Sequence, residues 1–229
     1  MHYIDIHTHK STNNSKVLEI ISIDSKDLSF LPRGNELYSI GIHPWFLNKN
    51  TLNSEFEKLQ KFESQKEVLA IGECGLDRFS VKNENDLNLQ LKAFNLQAQL
   101  AEISNKPMIL HAVNSYSDFL HWLKNGKYKV KLIFHGFNGN EDIAYKLLKF
   151  RCWLSFGESL LNSEKVRNVF KNIPLDSCFL ETDESNISIE EIYIEAAKLK
   201  NIDIEELRHQ LNKNFNQVFG DDKQLERKN

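Results

Sequence analysis

Cysteine is scarce in this sequence. Cys74, Cys152 and Cys178 are the only three, each in an apolar context, and no Cys-x-x-Cys pair occurs. An odd number without metal-type spacing points to buried free thiols in a reducing compartment rather than to a disulfide framework. Long hydrophobic runs are also missing. No stretch approaches the roughly 18 apolar residues of a membrane span, and the N-terminus shows no basic region followed by an apolar signal stretch. The expectation is a cytoplasmic protein with no membrane partner. An excess of positive charge is absent too: 29 Lys and Arg stand against 32 Asp and Glu, for a net charge of −3. This argues against a long electrostatic footprint on duplex nucleic acid, though not against an enzyme that grips a few phosphates. Neither a Gly-x-Ser-x-Gly elbow nor a Gly-x-x-x-x-Gly-Lys loop is present, which removes two common routes to nucleophilic and nucleotide chemistry.

What is present is an alternation of short β-type runs with helical stretches. Eight strands are expected: Tyr3 to His9, Val17 to Ile23, Leu37 to His43, Val68 to Glu73, Pro107 to His111, Val130 to His135, Cys152 to Gly157 and Cys178 to Asp183. Helices are expected over Leu52 to Ser64, Leu87 to Ser104, Tyr116 to Lys124, Glu141 to Lys149, Ser163 to Lys171, Ile189 to Leu199 and Ile204 to Phe219, where Gly220 serves as the stop. At 229 residues, this pattern predicts an α/β chain folded as one (β/α)₈ TIM-barrel domain spanning residues 1–229.

Two places fit that frame poorly. His9 to Lys16 is too short for a crossover helix, and Asp24 to Glu36 is irregular, with Pro32 and Gly34 breaking any helix. The first helix is therefore expected to be short or missing and the barrel somewhat distorted. The Lys-rich stretch Lys124 to Lys131 reads as a solvated loop.

The chemistry gathers at strand ends. His7 and His9 lie two apart on one strand and so share a face. The third strand ends at His43, the fourth at Glu73, the fifth at His111, the sixth at His135 and the eighth at Asp183. In a barrel the C-terminal strand ends share one rim, where loops build the active site. Imidazoles and carboxylates together suit Zn²⁺, Mn²⁺ or Mg²⁺. A pair of such ions can activate water and stabilise both oxygens at a phosphoryl centre, without a Ser or Cys nucleophile. His43 either lines the pocket and touches substrate or packs beside Pro44 and Trp45. Asp77 reads as a buttress for a loop or a ligand imidazole. Arg78 reads equally as a phosphate contact or a rim ion pair.

Six segments carry a family resemblance: His7-Thr8-His9, Gly41-Ile42-His43-Pro44, Ile71-Gly72-Glu73-Cys74-Gly75-Leu76-Asp77, His111, His135-Gly136-Phe137-Asn138-Gly139 and Glu181-Thr182-Asp183. In order along essentially the whole chain, they resemble the TatD-related deoxyribonucleases, metal-dependent hydrolases on a barrel of the amidohydrolase type. The resemblance implies two divalent ions (Mg, Mn or Zn). His7, His9 and Asp183 would hold the first, His111 and His135 the second, and Glu73 would bridge them. Glu73 and Asp183 would be the catalytic pair, with Asp183 orienting or deprotonating the attacking water. The implied reaction is hydrolysis of phosphodiester bonds from the 3′ end of single-stranded DNA. The implied partners are DNA ends or another phosphoester, with no obligate protein partner.

The chain also departs from the family. Ala112 and Val113 stand where Ser-Arg is usual, and Glu184, Ser185 and Asn186 stand where Ala-Pro-Tyr is usual. Gly136-Phe137-Asn138-Gly139 replaces Cys-Phe-Ser-Gly, and Arg78 stands where an aromatic is common. The departures leave open hydrolysis of a small phosphoester, lactone or amide, or a metal-binding barrel without turnover. A phosphoesterase of the polymerase-and-histidinol-phosphatase type also opens with His-x-His, but usually carries more histidine ligands at its later strand ends.

Overall fold

The computed structural model describes residues 1–29, 36–126 and 129–220. Its strands are β1 (Tyr3–Thr8), β2 (Val17–Asp24), β3 (Leu37–Gly41), β4 (Val68–Asp77), β5 (Met108–Val113), β6 (Leu132–Phe134), β7 (Trp153–Phe156) and β8 (Cys178–Leu180). All eight belong to one sheet, in sequence order from β1 to β8. The pairs with a resolved register are parallel. The helices are α1 (Leu52–Phe62), α2 (Glu84–Ser104), α3 (Tyr116–Asn125), α4 (Glu141–Lys149), α5 (Ser159–Asn162), α6 (Glu164–Asn172), α7 (Ile189–Lys200) and α8 (Ile204–Phe219). Parallel strands in sequence order, alternating with helices, make a (β/α)₈ barrel.

The irregularities fall where the sequence places them. No helix separates β1 from β2, and between β2 and β3 the described residues hold only a 3₁₀ turn, Ser25–Asp27. Residues 30–35 of the irregular stretch, with Pro32 and Gly34, lie outside the described residues, as do 127–128 of the Lys-rich loop. The four-residue α5 is an addition to the expected set. β4 runs four residues beyond its expected end, to Asp77, and β8 stops three residues short of Asp183. Among the described residues, no helix is long and apolar enough to cross a membrane.

The chain divides into two compact units, Met1–Ile21 with His135–Asn229, and Ser22–Phe134. In the first, Ile4, Ile6, Leu154, Phe156, Phe179 and Leu180 are buried strand residues. Helix α7 is tied to β1 through Tyr193: its hydroxyl accepts from Ile4 N at 2.9 Å and donates to Ile4 O at 3.2 Å. In the second unit, Ile40, Ile71, Leu76, Ile109 and Phe134 are buried, as are Phe94 of α2 and Phe119 of α3, and the Phe119 ring lies 5.2 Å from those of Phe94 and Phe134. Strands β4 and β5 approach closely at Gly75, whose φ is +148° and where a Cβ would overlap the His111 carbonyl. Only glycine combines that conformation with that approach.

Candidate metal centre

In the second unit, β3, β4 and β5 bring His43, Glu73 and His111 together; all three are buried. One donor atom from each lies within 4.8 Å of the others. Helix α2 sets these strand ends. Two of its buried glutamines, seven residues apart and therefore on one face, grip the backbone. Gln97 pairs with Ile42 N (2.8 Å) and O (3.2 Å), and Gln90 with Asp77 N (2.9 Å) and O (3.1 Å). Sequence reading placed both on a core helix and missed this role.

The hydrogen bonds fix the neutral tautomer of one of the two imidazoles. His43 Nδ1 accepts the Trp45 backbone N–H at 3.2 Å, so in the neutral ring Nε2 carries the hydrogen and donates to Glu73 Oε1 at 3.1 Å. His43 therefore holds Glu73 rather than offering an ion a lone pair. His111 Nε2 faces Asp77 Oδ2 at 3.0 Å, and its Nδ1 faces Glu73 Oε1 at 2.7 Å. His43 Nε2 also lies 3.3 Å from His111 Nδ1. In the tautomer that donates Nε2–H to Asp77, His111 Nδ1 would be available to a divalent ion beside Glu73, with Asp77 as the carboxylate behind a metal-ligating histidine; an imidazolium would instead donate to both carboxylates. The donor set fits an ion.

Asp77 does more than support His111. Its Oδ2 also accepts the Trp45 indole N–H at 2.5 Å, and Oδ1 accepts the backbone N–H of Phe79 (2.7 Å) and Ser80 (3.0 Å). Burial would raise the Asp77 pKa, but the bonds from Trp45 and His111 outweigh that and hold it below the usual carboxylate value. Arg78 makes two 2.6 Å bonds to Asp118, the rim ion pair of the two readings open for it.

In the first unit, donor atoms of His7, His135 and Asp183 lie within 4.8 Å of one another. Asp183 Oδ1 is 3.6 Å from His7 Nε2 and 3.4 Å from His9 Nε2. The chain after β8 is clamped to β1: Asp183 N donates to His7 O at 2.9 Å and His9 N to Asp183 O at 3.3 Å. Burial would raise the Asp183 pKa, yet bonds from His7 and His9 and the charges of His7 and His135 drive it well below the carboxylate range. Thus His135, which the resemblance pairs with His111, has His7 and Asp183 as its donor neighbours.

Two carboxylates absent from the sequence-based candidates support this group. Asp5, fully buried, accepts from Thr182 Oγ1 (2.7 Å) and Thr182 N (3.1 Å), and burial pushes its pKa up to about 7 against those bonds. Glu181 Oε1 accepts from Gly136 N at 2.5 Å and lies 3.4 Å from His135 Nδ1. Alternation places Asp5 on the strand face of His7, but Glu181 lies beyond the end of β8, where alternation no longer applies.

A cavity of about 590 Å³ opens beside Asp183, lined by residues 181–187 with Gly136, Asn138, Gly157, Glu158 and Ser159. No lysine or arginine is among them. The three thiols are buried, and burial pushes Cys152 and Cys178 up to about 12 and raises Cys74 as well, so none is a thiolate nucleophile at neutral pH.

Comparison with known proteins identifies the family. The family model for TatD related DNase matches residues 33–220, and the chain belongs to that family. It is 30% identical over 201 residues, 81% of this chain and 74% of the relative, to an uncharacterized metal-dependent hydrolase of Buchnera aphidicola. A TATDN1 homolog of Enterocytozoon bieneusi, whose name carries deoxyribonuclease, is 32% identical over 178 residues, 72% of this chain and 62% of that one. Among solved structures, the TatD homolog YJJV of Escherichia coli superposes with a TM-score of 0.79 at 21% identity, covering 96% of this chain and 98% of that one. A TatD family hydrolase of Entamoeba histolytica gives 0.77 at 19% identity, covering 96% and 99%. The chain is a metal-dependent hydrolase of the TatD family.

Proposed function

We propose that this hydrolase cleaves phosphodiester bonds at the ends of single-stranded DNA, working from the 3′ end with two divalent ions, Mg, Mn or Zn. The observation that carries the reading is the buried imidazole–carboxylate group of His43, Glu73 and His111, whose donor atoms lie within 4.8 Å of one another, in a chain of the TatD family. His7, His9, His135 and Asp183 are the proposed ligands on the first unit, and Glu73 and His111 on the second. When bound, the ions supply Lewis-acid stabilisation of charge on the phosphate and lower the pKa of water. Asp183 would orient or deprotonate the attacking water, its carboxylate kept ionised by the imidazoles around it. Asp5 holds the Thr182–Asp183 backbone in place, Glu181 orients His135, and His43 orients Glu73. The cytoplasm is the proposed setting, supported by three buried free thiols.

A second reading is hydrolysis of a small phosphoester, lactone or amide. It is favoured by the cavity beside Asp183, which offers a polyanion no lysine or arginine. One experiment separates the two. End-labelled single-stranded oligonucleotides are incubated with Mg²⁺, Mn²⁺ or Zn²⁺, with and without chelator, beside a panel of small esters and amides. Stepwise metal-dependent shortening from the 3′ end supports the first reading. Turnover of small substrates alone replaces it with the second, and ion binding without turnover on any substrate contradicts both.

A further inference from the structure

Helix-capping and packing leave three large aromatic side chains near the second donor group uncovered: Trp45 is 59% exposed, Phe46 48% and Phe79 85%. Tryptophan is ordinarily well buried, as Trp153 is here at 8%. The Trp45 indole is nonetheless fixed. Its N–H is bonded to Asp77, and its ring meets His43 edge-on at 5.0 Å and His111 at 5.5 Å between centroids. The same Asp77 carboxylate that anchors Trp45 accepts the backbone N–H of Phe79, and the Phe46 ring lies 5.4 Å from that of His43. One buried acid thus ties two exposed aromatic residues to the imidazole it supports. At the margin, Lys26 Nζ sits 4.6 Å above the Phe46 ring and donates to Phe46 O at 3.0 Å.

We propose that Trp45, held by Asp77 and flanked by Phe46 and Phe79, is a stacking platform for a base of a single-stranded nucleic acid whose phosphate lies at the neighbouring donor group. The proposal rests on the nucleic-acid reading above and adds how the strand is held. A base offers a π-face of the right size whatever its identity, so a stacking surface grips single strands with little sequence preference. The indole's only hydrogen-bond donor is already used, which leaves its face, not its edge, as the recognition element. A ring pinned at three points loses little freedom on stacking. Lys26 supplies positive charge beside the rings for a backbone phosphate, which suits a polyanion better than an apolar peptide. Arg78, committed to Asp118, does not compete for that role.

The test compares a short single-stranded deoxyoligonucleotide with an abasic chain of the same length. Binding is read with Ca²⁺ present, by anisotropy of the labelled strand and by quenching of tryptophan emission. Hydrolysis of the base-bearing strand is followed in parallel with Mg²⁺ or Mn²⁺. The wild-type protein should bind the base-bearing strand at least about 10-fold more tightly, with quenching that the abasic chain does not produce. Trp45→Leu should remove the quenching and most of that preference while leaving abasic binding unchanged, and Trp45→Phe should restore the preference in large part. Equal binding of the two strands by the wild type overturns the platform, even if Trp45→Leu cannot be obtained folded. Equal loss of both strands in Trp45→Leu also overturns it, since Trp45 would then only brace Asp77. Base-dependent binding without oligonucleotide hydrolysis keeps the platform and ends the nuclease reading; hydrolysis with base-independent binding does the reverse.

Discussion

His43 and His111 both face Glu73, yet their other contacts divide their roles. His111 has the Asp77 carboxylate behind it, whereas His43 spends its Nδ1 on the Trp45 amide and turns an N–H toward Glu73 and His111. His111→Ala should therefore abolish stoichiometric binding of one ion. His43→Ala should keep that ion but bind it about 10- to 100-fold more weakly, the scale of losses from supporting residues. Isothermal titration with Mn²⁺ on the two variants distinguishes them, and a reversed order would contradict this division of roles. Glu73→Ala should remove metal-dependent hydrolysis, by about 100-fold or more, with an unchanged circular dichroism spectrum; retained activity would show that Glu73 is not a ligand. At this scale the sequence makes residue type and period visible, so the strand-end histidines and acids stand out. It does not reveal which ring nitrogen carries the hydrogen, because that depends on a backbone amide two residues away in a 3₁₀ turn. Nor does it separate Asp5 and Glu181 from ordinary strand residues, because their significance lies in Thr182 and His135, far along the chain.

At the level of elements, α2 acts as a ruler for the second donor group. Gln97→Leu would leave Ile42 N–H and C=O buried and unpaired, costing about 2 kcal/mol or more. That should lower the melting temperature by about 4 °C or more and reduce hydrolysis, since His43 follows directly. An unchanged melting temperature would show that α2 does not hold this strand end. Tyr193→Phe removes the acceptor for Ile4 N–H and should cost about 1–3 kcal/mol, read as a shifted urea midpoint at constant slope. Periodicity was enough to mark α4 and α8 at their observed ends. It marked β4 only as far as Glu73, although the strand runs on to Asp77. Gly72 and Gly75 sit where the next strand's backbone approaches too closely for a side chain. β8 instead ends early: Asp183 takes φ +54°, which no strand continues through.

For the whole molecule, eight strands in sequence order with a missing first helix were legible because alternation and loop length are properties of the chain itself. That the donor residues lie at strand ends was legible from the same alternation; their division into two sets came only from the family resemblance, which put His135 with His111 where the fold sets it beside His7 and Asp183. Ions bound to the folded chain and not to the unfolded one stabilise it by mass action. Dialysis against chelator should therefore lower the melting temperature as well as stop hydrolysis, and Mn²⁺ or Mg²⁺ should restore both. Loss of activity with an unmoved melting temperature would argue against resident ligands in a folded site. The most direct measurement is anomalous scattering from crystals grown with Mn²⁺ or Zn²⁺. Peaks against His7, His135 and Asp183, and against Glu73 and His111, are the predicted result. A map with no peak at either group, from crystals whose solution form hydrolyses substrate, would contradict the account.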